Sequence, residues 1–146
     1  MSASDPSPTP DLVGAHLRFG WMMLLVFIFV GMALEVMHGF KIAWYLDVGQ
    51  ETRRLMWRLA HAHGTLLSVL NLGFAFTLSR MEGWSKAPAA SKALYAASVL
   101  LPGGFFAGGV VIYDGDPGLG IVLVPIGAFA LVYATVLVVL GLRRGR

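Results

Sequence analysis

Apolar residues dominate four stretches of this chain, and short polar connections separate them. The first stretch runs from about Val13 to about Trp44, and its centre, Phe19 to Leu34, carries no charge. The second runs from about Leu55 to Ser79, with no Asp, Glu, Lys or Arg between Leu59 and Ser79. The third covers about Ala89 to Tyr113 and the fourth about Leu119 to Leu142. A helix needs about 20 apolar residues to cross roughly 30 Å of hydrocarbon, so each stretch predicts one membrane span. Residues 1–12, rich in Ser and Pro at their start, predict a disordered tail, which leaves 13–146 as a single transmembrane domain. The first apolar run is too long for a signal-peptide core and lacks a basic start, so it is expected to be retained.

The connections are short. One, near residues 45–54, carries Asp47, Gly49 and Glu51; another, 80–88, carries Gly83 and Pro88. The last, Asp114-Gly115-Asp116-Pro117-Gly118, holds the residues that a tight reversal requires. Short loops make consecutive helices antiparallel neighbours. The expected fold is therefore all-α: an integral membrane four-helix up-down bundle in a lipid bilayer. The third span contains Pro102-Gly103-Gly104-Phe105-Phe106-Ala107-Gly108-Gly109. Gly104 and Gly108 form a GxxxG pair, and Gly103 and Ala107 a second small pair, so helix backbones can approach closely there. That surface suits a neighbour within the chain, a second copy in a homo-oligomer, or a larger membrane complex. Pro102 predicts a kink.

Composition agrees with the pattern. Of 146 residues 57% are hydrophobic and 13% charged, about half the charged share of a soluble domain. Too little polar surface exists to cover a soluble globule. With no cysteine, disulfides, thiolate zinc sites, iron–sulfur clusters and cysteine nucleophiles are excluded. The net charge of +3 has a topological explanation rather than a nucleic-acid one, because no basic patch is interleaved with aromatics. Arg18, Arg80, Lys86, Lys92, Arg143, Arg144 and Arg146 fall on the side of the termini; Lys41, Arg53, Arg54 and Arg58 fall opposite, with Asp47, Glu51, Asp114 and Asp116. The excess predicts a multi-pass protein of the cell membrane with both termini cytoplasmic.

The spans are not uniformly apolar. Glu35 follows the uncharged centre of the first span, and a charge at that depth costs at least about 2.5 kcal/mol on insertion scales. Glu35 and His38 are three apart and share a helix face with Gly31 and Ile42. Glu-x-x-His is the spacing used in ferritin-like di-metal bundles, although the chain has no second copy of it. In the second span His61, Gly64, Thr65, Ser68 and Asn71 form a polar and small stripe, expected to face the interior. His63 lies about 200° round the helix from His61 and should meet another neighbour. Glu35, His38, His61 and His63 thus gather near one membrane face, and His16 lies at the other.

Three functions fit this cluster. Neutral imidazole and carboxylate suit a transition metal ion, with Glu35, His38 and His61 as the ligand set, or a haem, for a redox role. Alternatively the same residues are internal polar glue, Glu35 pairing with His38, His61 or Arg58 in a structural or accessory subunit. In a third case the protein is a membrane enzyme acting on a lipophilic substrate, with His61 and Glu35 as acid and base, or a binder of a quinone-like ligand. No phosphate loop, dinucleotide glycine pattern, serine elbow or zinc-protease motif occurs.

The segment His61-Ala62-His63-Gly64-Thr65-Leu66-Leu67 resembles the His-x-His segments in transmembrane helices of haem–copper oxidase and nitric oxide reductase large subunits, and of small relatives with few spans. Those large subunits have more spans and more histidine ligands than this chain. The resemblance implies one haem or metal held by His61 or His63, with His38 as a partner.

Overall fold

The computed structural model describes residues 9–46, 51–81 and 83–144; the side chains of residues 9–11 and 144 are not among those described. It consists of α1 (Thr9–Gly39), a short α2 (Ala43–Leu46), α3 (Glu51–Leu78), α4 (Ala87–Val110), two two-residue strands β1 (Ile112–Tyr113) and β2 (Asp116–Pro117), a 3₁₀ turn (Leu119–Val122) and α5 (Leu123–Arg144). Four of these helical segments are long and apolar enough to cross a membrane: 12–39, 51–78, 87–110 and 119–143. The expected all-α, four-helix membrane architecture is present. The chain is a multi-pass membrane protein.

Several boundaries differ from the hydrophobic pattern. Thr9 to Leu12 form the first turn of α1 rather than tail; Pro10 is tolerated there because a first-turn residue has no intrahelical N–H bond to lose. At the other end α1 stops at Gly39, five residues before Trp44. Lys41 takes a left-handed φ of 52°. Its N–H donates to His38 O at 3.2 Å, and that of Ile42 to Met37 O at 3.0 Å. This pair of bonds is the Schellman closure, which usually has glycine in the left-handed position. With lysine there, the sequence carried no stop signal. α3 begins at Glu51, so Glu51 to Arg54 are helical rather than loop. The α4–α5 connection is a hairpin with Tyr113 opposite Asp116. Asp114 and Gly115 occupy its two turn positions with φ of 48° and 89°, the type I′ geometry that Asp-Gly favours.

The four spans form a row. α1 packs on α3, α3 on α4, and α4 on α5, while α1 and α5 make no comparable contact. The outer helices therefore bury least: 22% of the α1 span window and 11% of the α5 window, against 44% for α4. Lipid supplies no hydrophobic drive between helices, so close packing has to hold the row together. Glycines supply it. Phe27 of α1 lies over Gly64 of α3; a Cβ added at Gly20 would lie 2.7 Å from Leu72, and one at Gly31 2.6 Å from the His61 ring. On α4, added Cβ atoms at Gly104 and Gly109 would lie 2.9 Å from Val124 and 2.6 Å from Trp57. Gly108 faces Ile121. The GxxxG approach is thus made within the chain, to the start of α5. Helix α4 runs on through a buried Pro102.

Candidate functional site

Two polar centres lie at opposite ends of the α1–α3 pair. The first is an open cleft of about 690 Å³, lined by Gly31, Leu34, Glu35, His38 and Gly39 of α1, Tyr45 of α2, and Arg54, Arg58 and His61 of α3. Helical spacing explains the lining: 31, 34, 35 and 38 share one face of α1, and 54, 58 and 61 one face of α3. Gly31 makes room for the His61 ring. His61 Nδ1 lies 2.9 Å from Phe27 O. A carbonyl only accepts, so Nδ1 carries the proton, and in the neutral ring Nε2 is left with a lone pair.

The sequence-derived residues meet unequally. Glu35, His38 and His61 share this cleft. His63 does not: its Nδ1 donates to Leu59 O at 2.8 Å, one turn back, and its ring packs on Phe105 of α4, centroids 4.8 Å apart. Glu35 and His38 are exposed on the cleft wall, and no ion pair joins Glu35 to His38, His61 or Arg58; the ion pair among the described residues is Arg54–Glu51 at 3.1 Å. Also among the described residues, no group of three or more His, Asp or Glu is placed to hold a metal ion. Glu35, His38 and His61 therefore line one space without converging on one point.

Arg53 and Trp57 close the neighbouring layer. Arg53 is buried and donates through Nε to Gly109 O at 3.1 Å and through Nη1 to Trp44 O at 2.9 Å. Its guanidinium lies 4.5 Å from the centre of the Trp44 ring. Trp57 stacks on Phe106, centroids 5.3 Å apart, and donates Nε1–H to Phe106 O. Thr52 of α3 donates its hydroxyl to Gly115 O. The hairpin and its aspartates thus sit at the same end as the cleft, as the topology predicts.

The second centre is the one the sequence pattern passed over. His16, set apart above because it lies at the other membrane face, is completely buried. Its Nδ1 is 2.7 Å from Asn71 Oδ1, and its Nε2 2.7 Å from Ser91 Oγ. Asn71 Nδ2 donates to Leu67 O and to Ser98 Oγ, each at 2.8 Å. Ser98 donates to Leu94 O at 2.7 Å. The ring stacks on Tyr95 with centroids 4.1 Å apart and 1° between planes, and meets Phe74 edge-on. Both amide hydrogens of Asn71 are used, so its oxygen must accept from His16 Nδ1, and the Ser91 hydroxyl, which can donate or accept, completes the network at Nε2. This centre ties α1 to α3 and α4 at once. The stripe 61–71 signalled half of it; nothing local pointed to His16, Ser91 or Ser98. In the same stripe, Thr65 Oγ1 is buried without a partner.

No family model, no curated protein and no solved structure matches the chain. The class rests on fold and site alone: a small multi-pass membrane protein with an ionisable cleft at one end of its first two spans. The likeness at His61 to Leu67 rests on those residues alone.

Proposed function

We propose that the protein binds the polar head of a lipophilic molecule in the α1–α3 cleft. One observation carries this: a single open space of about 690 Å³ is lined by Glu35, His38, His61, Arg54 and Arg58. That volume falls within the range of small-molecule sites. Glu35 is four residues from the end of α1, roughly 6 Å along the axis, which sets the cleft at headgroup depth. Met32 and Ile28, exposed on α1 about one and two turns deeper, offer an apolar surface for a tail. The guanidiniums and the His38 imidazole donate to oxygen acceptors; Glu35 and His61 Nε2 accept hydrogen bonds and can exchange a proton. A quinone, with ring carbonyls and an apolar tail, fits this chemistry. If the ligand is transformed, Glu35 and His61 are the acid and base.

The test is binding of decylubiquinone to the purified chain in neutral detergent, followed by quenching of tryptophan fluorescence. Saturable binding that weakens about tenfold or more in Arg54→Gln and Arg58→Gln supports the proposal; a charge-assisted hydrogen bond to a ring carbonyl lost from a partly dry site is of that size. Unsaturable quenching, equal in both variants, refutes it. Haem or a metal ion is the competing occupant of the same cleft, through the lone pair on His61 Nε2. Absorption and metal content of the purified protein decide: a visible band or stoichiometric metal lost in His61→Ala would replace the quinone reading. Reporter fusions after Gly83 and Gly115 test the proposed orientation, with Gly83 cytoplasmic and Gly115 outside.

A further inference from the structure

A second cavity lies at the opposite end of the row, far from the Glu35 cleft. It measures about 580 Å³ and is lined by the α3–α4 connection, with Arg80, Trp84, Ser85 and Lys86, and by the last turns of α5, including Leu137 and Leu140. Its floor is set by a close approach: a Cβ added at Gly141 would lie 2.8 Å from the Trp84 ring. The polar side of the cavity is basic. The guanidinium of Arg80 stands 4.8 Å over the Phe76 ring, and neither Arg80 nor Lys86 forms an ion pair among the described residues. The connection 79–86 sets these two bases against one acid, Glu82, which lies outside the described residues. The apolar side continues onto α5, where Val136, Val139, Leu140 and Leu142 are exposed on the least covered of the four spans.

We propose that this cavity is a binding site for an anionic phospholipid. Arg80 and Lys86 hold the phosphate, the Ser85 hydroxyl donates to it, and the acyl chains lie along the exposed face of α5. Three features favour a lipid over a soluble anion. The bases sit at the ends of membrane-spanning helices, where headgroups are. Trp84 is a residue type that settles at that depth. The cavity opens onto an apolar helix face that only an acyl chain or another apolar surface would cover. The site also falls on the side where the excess of Lys and Arg lies, and in a cytoplasmic leaflet anionic lipid attracts such clusters.

The experiment is native mass spectrometry of the full chain in neutral detergent with equal amounts of phosphatidylglycerol and phosphatidylcholine. Two basic groups at a headgroup imply a roughly ten- to thirtyfold preference for phosphatidylglycerol. That preference should fall to near parity in Arg80→Gln/Lys86→Gln, persist in the charge-preserving swap Arg80→Lys/Lys86→Arg, and persist in Lys92→Gln, which removes a base of the same end outside the cavity. Equal binding of the two lipids on the native chain overturns the proposal, as does loss of the preference in Lys92→Gln to the same degree. Displacement of phosphatidylglycerol by millimolar inorganic phosphate overturns it in favour of a soluble anion. If the double glutamine variant does not fold, the native chain with the two lipids and phosphate decides alone.

Discussion

Replacing Asn71 by leucine probes the hidden polar centre. The two side chains share the same branched skeleton, so no cavity opens; leucine is the bulkier, and that packing cost is common to the single and the double variant. Asn71 accepts from His16 Nδ1 and donates to Leu67 O and Ser98 Oγ, and both Asn71 and His16 are completely buried. Asn71→Leu therefore strands the His16 N–H, at a cost of about 1–3 kcal/mol for an unsatisfied buried donor. The pair itself is a separate quantity. Side-chain hydrogen bonds between membrane helices couple by about 0.6 kcal/mol on average and about 1.7 at most. His16→Phe keeps a ring against Tyr95 and Phe74 while removing the donor. In the double variant, His16→Phe/Asn71→Leu, the stranded group is gone, so the loss should be smaller than the sum of the singles by about 0.6–1.7 kcal/mol. Unfolding in mixed neutral-detergent and dodecyl sulfate micelles, followed by far-UV circular dichroism, gives the four stabilities. Distant sites add to within about 0.3–0.5 kcal/mol, so the expected coupling is resolvable. Additive losses, or an Asn71→Leu variant more stable than the native chain, would refute the account of this network.

Two further predictions concern backbone and packing. Lys41→Gly should stabilise the protein by up to about 1 kcal/mol, because the residue sits at φ 52°, where a side chain costs roughly 1–2 kcal/mol and glycine gives back part of that in chain entropy; an unchanged or lowered midpoint in the same micelle assay would count against a left-handed Lys41. Gly64→Ala places a methyl in the Phe27 ring and should destabilise the α1–α3 pair by about 1–3 kcal/mol, whereas Gly73→Ala, which meets nothing within 4 Å, should not destabilise; equal effects of the two would sink the interdigitated packing.

The sequence determined by itself how many spans the chain has and what class of fold they make. Those features follow from local rules: about twenty apolar residues span a bilayer, and Asp-Gly turns sharply. It also brought Glu35, His38 and His61 to one cleft, because helical spacing sets which residues share a face and a short loop sets which helix ends are neighbours. Arg54 joins the stripe of Arg58 and His61 only because α3 begins at Glu51, four residues before the apolar pattern does. The end of α1 was not legible, since its left-handed residue is a lysine. Tertiary structure alone decided the rest. His16 meets partners 55 and 75 residues away, and whether a polar side chain in a span is answered depends on helix order, rotation and depth. Those same variables turned His63 towards Phe105 rather than the cleft and left α1 and α5 apart at the ends of a row. Periodicity along one helix records the direction of a side chain, and only the packed neighbours determine what stands there to receive it.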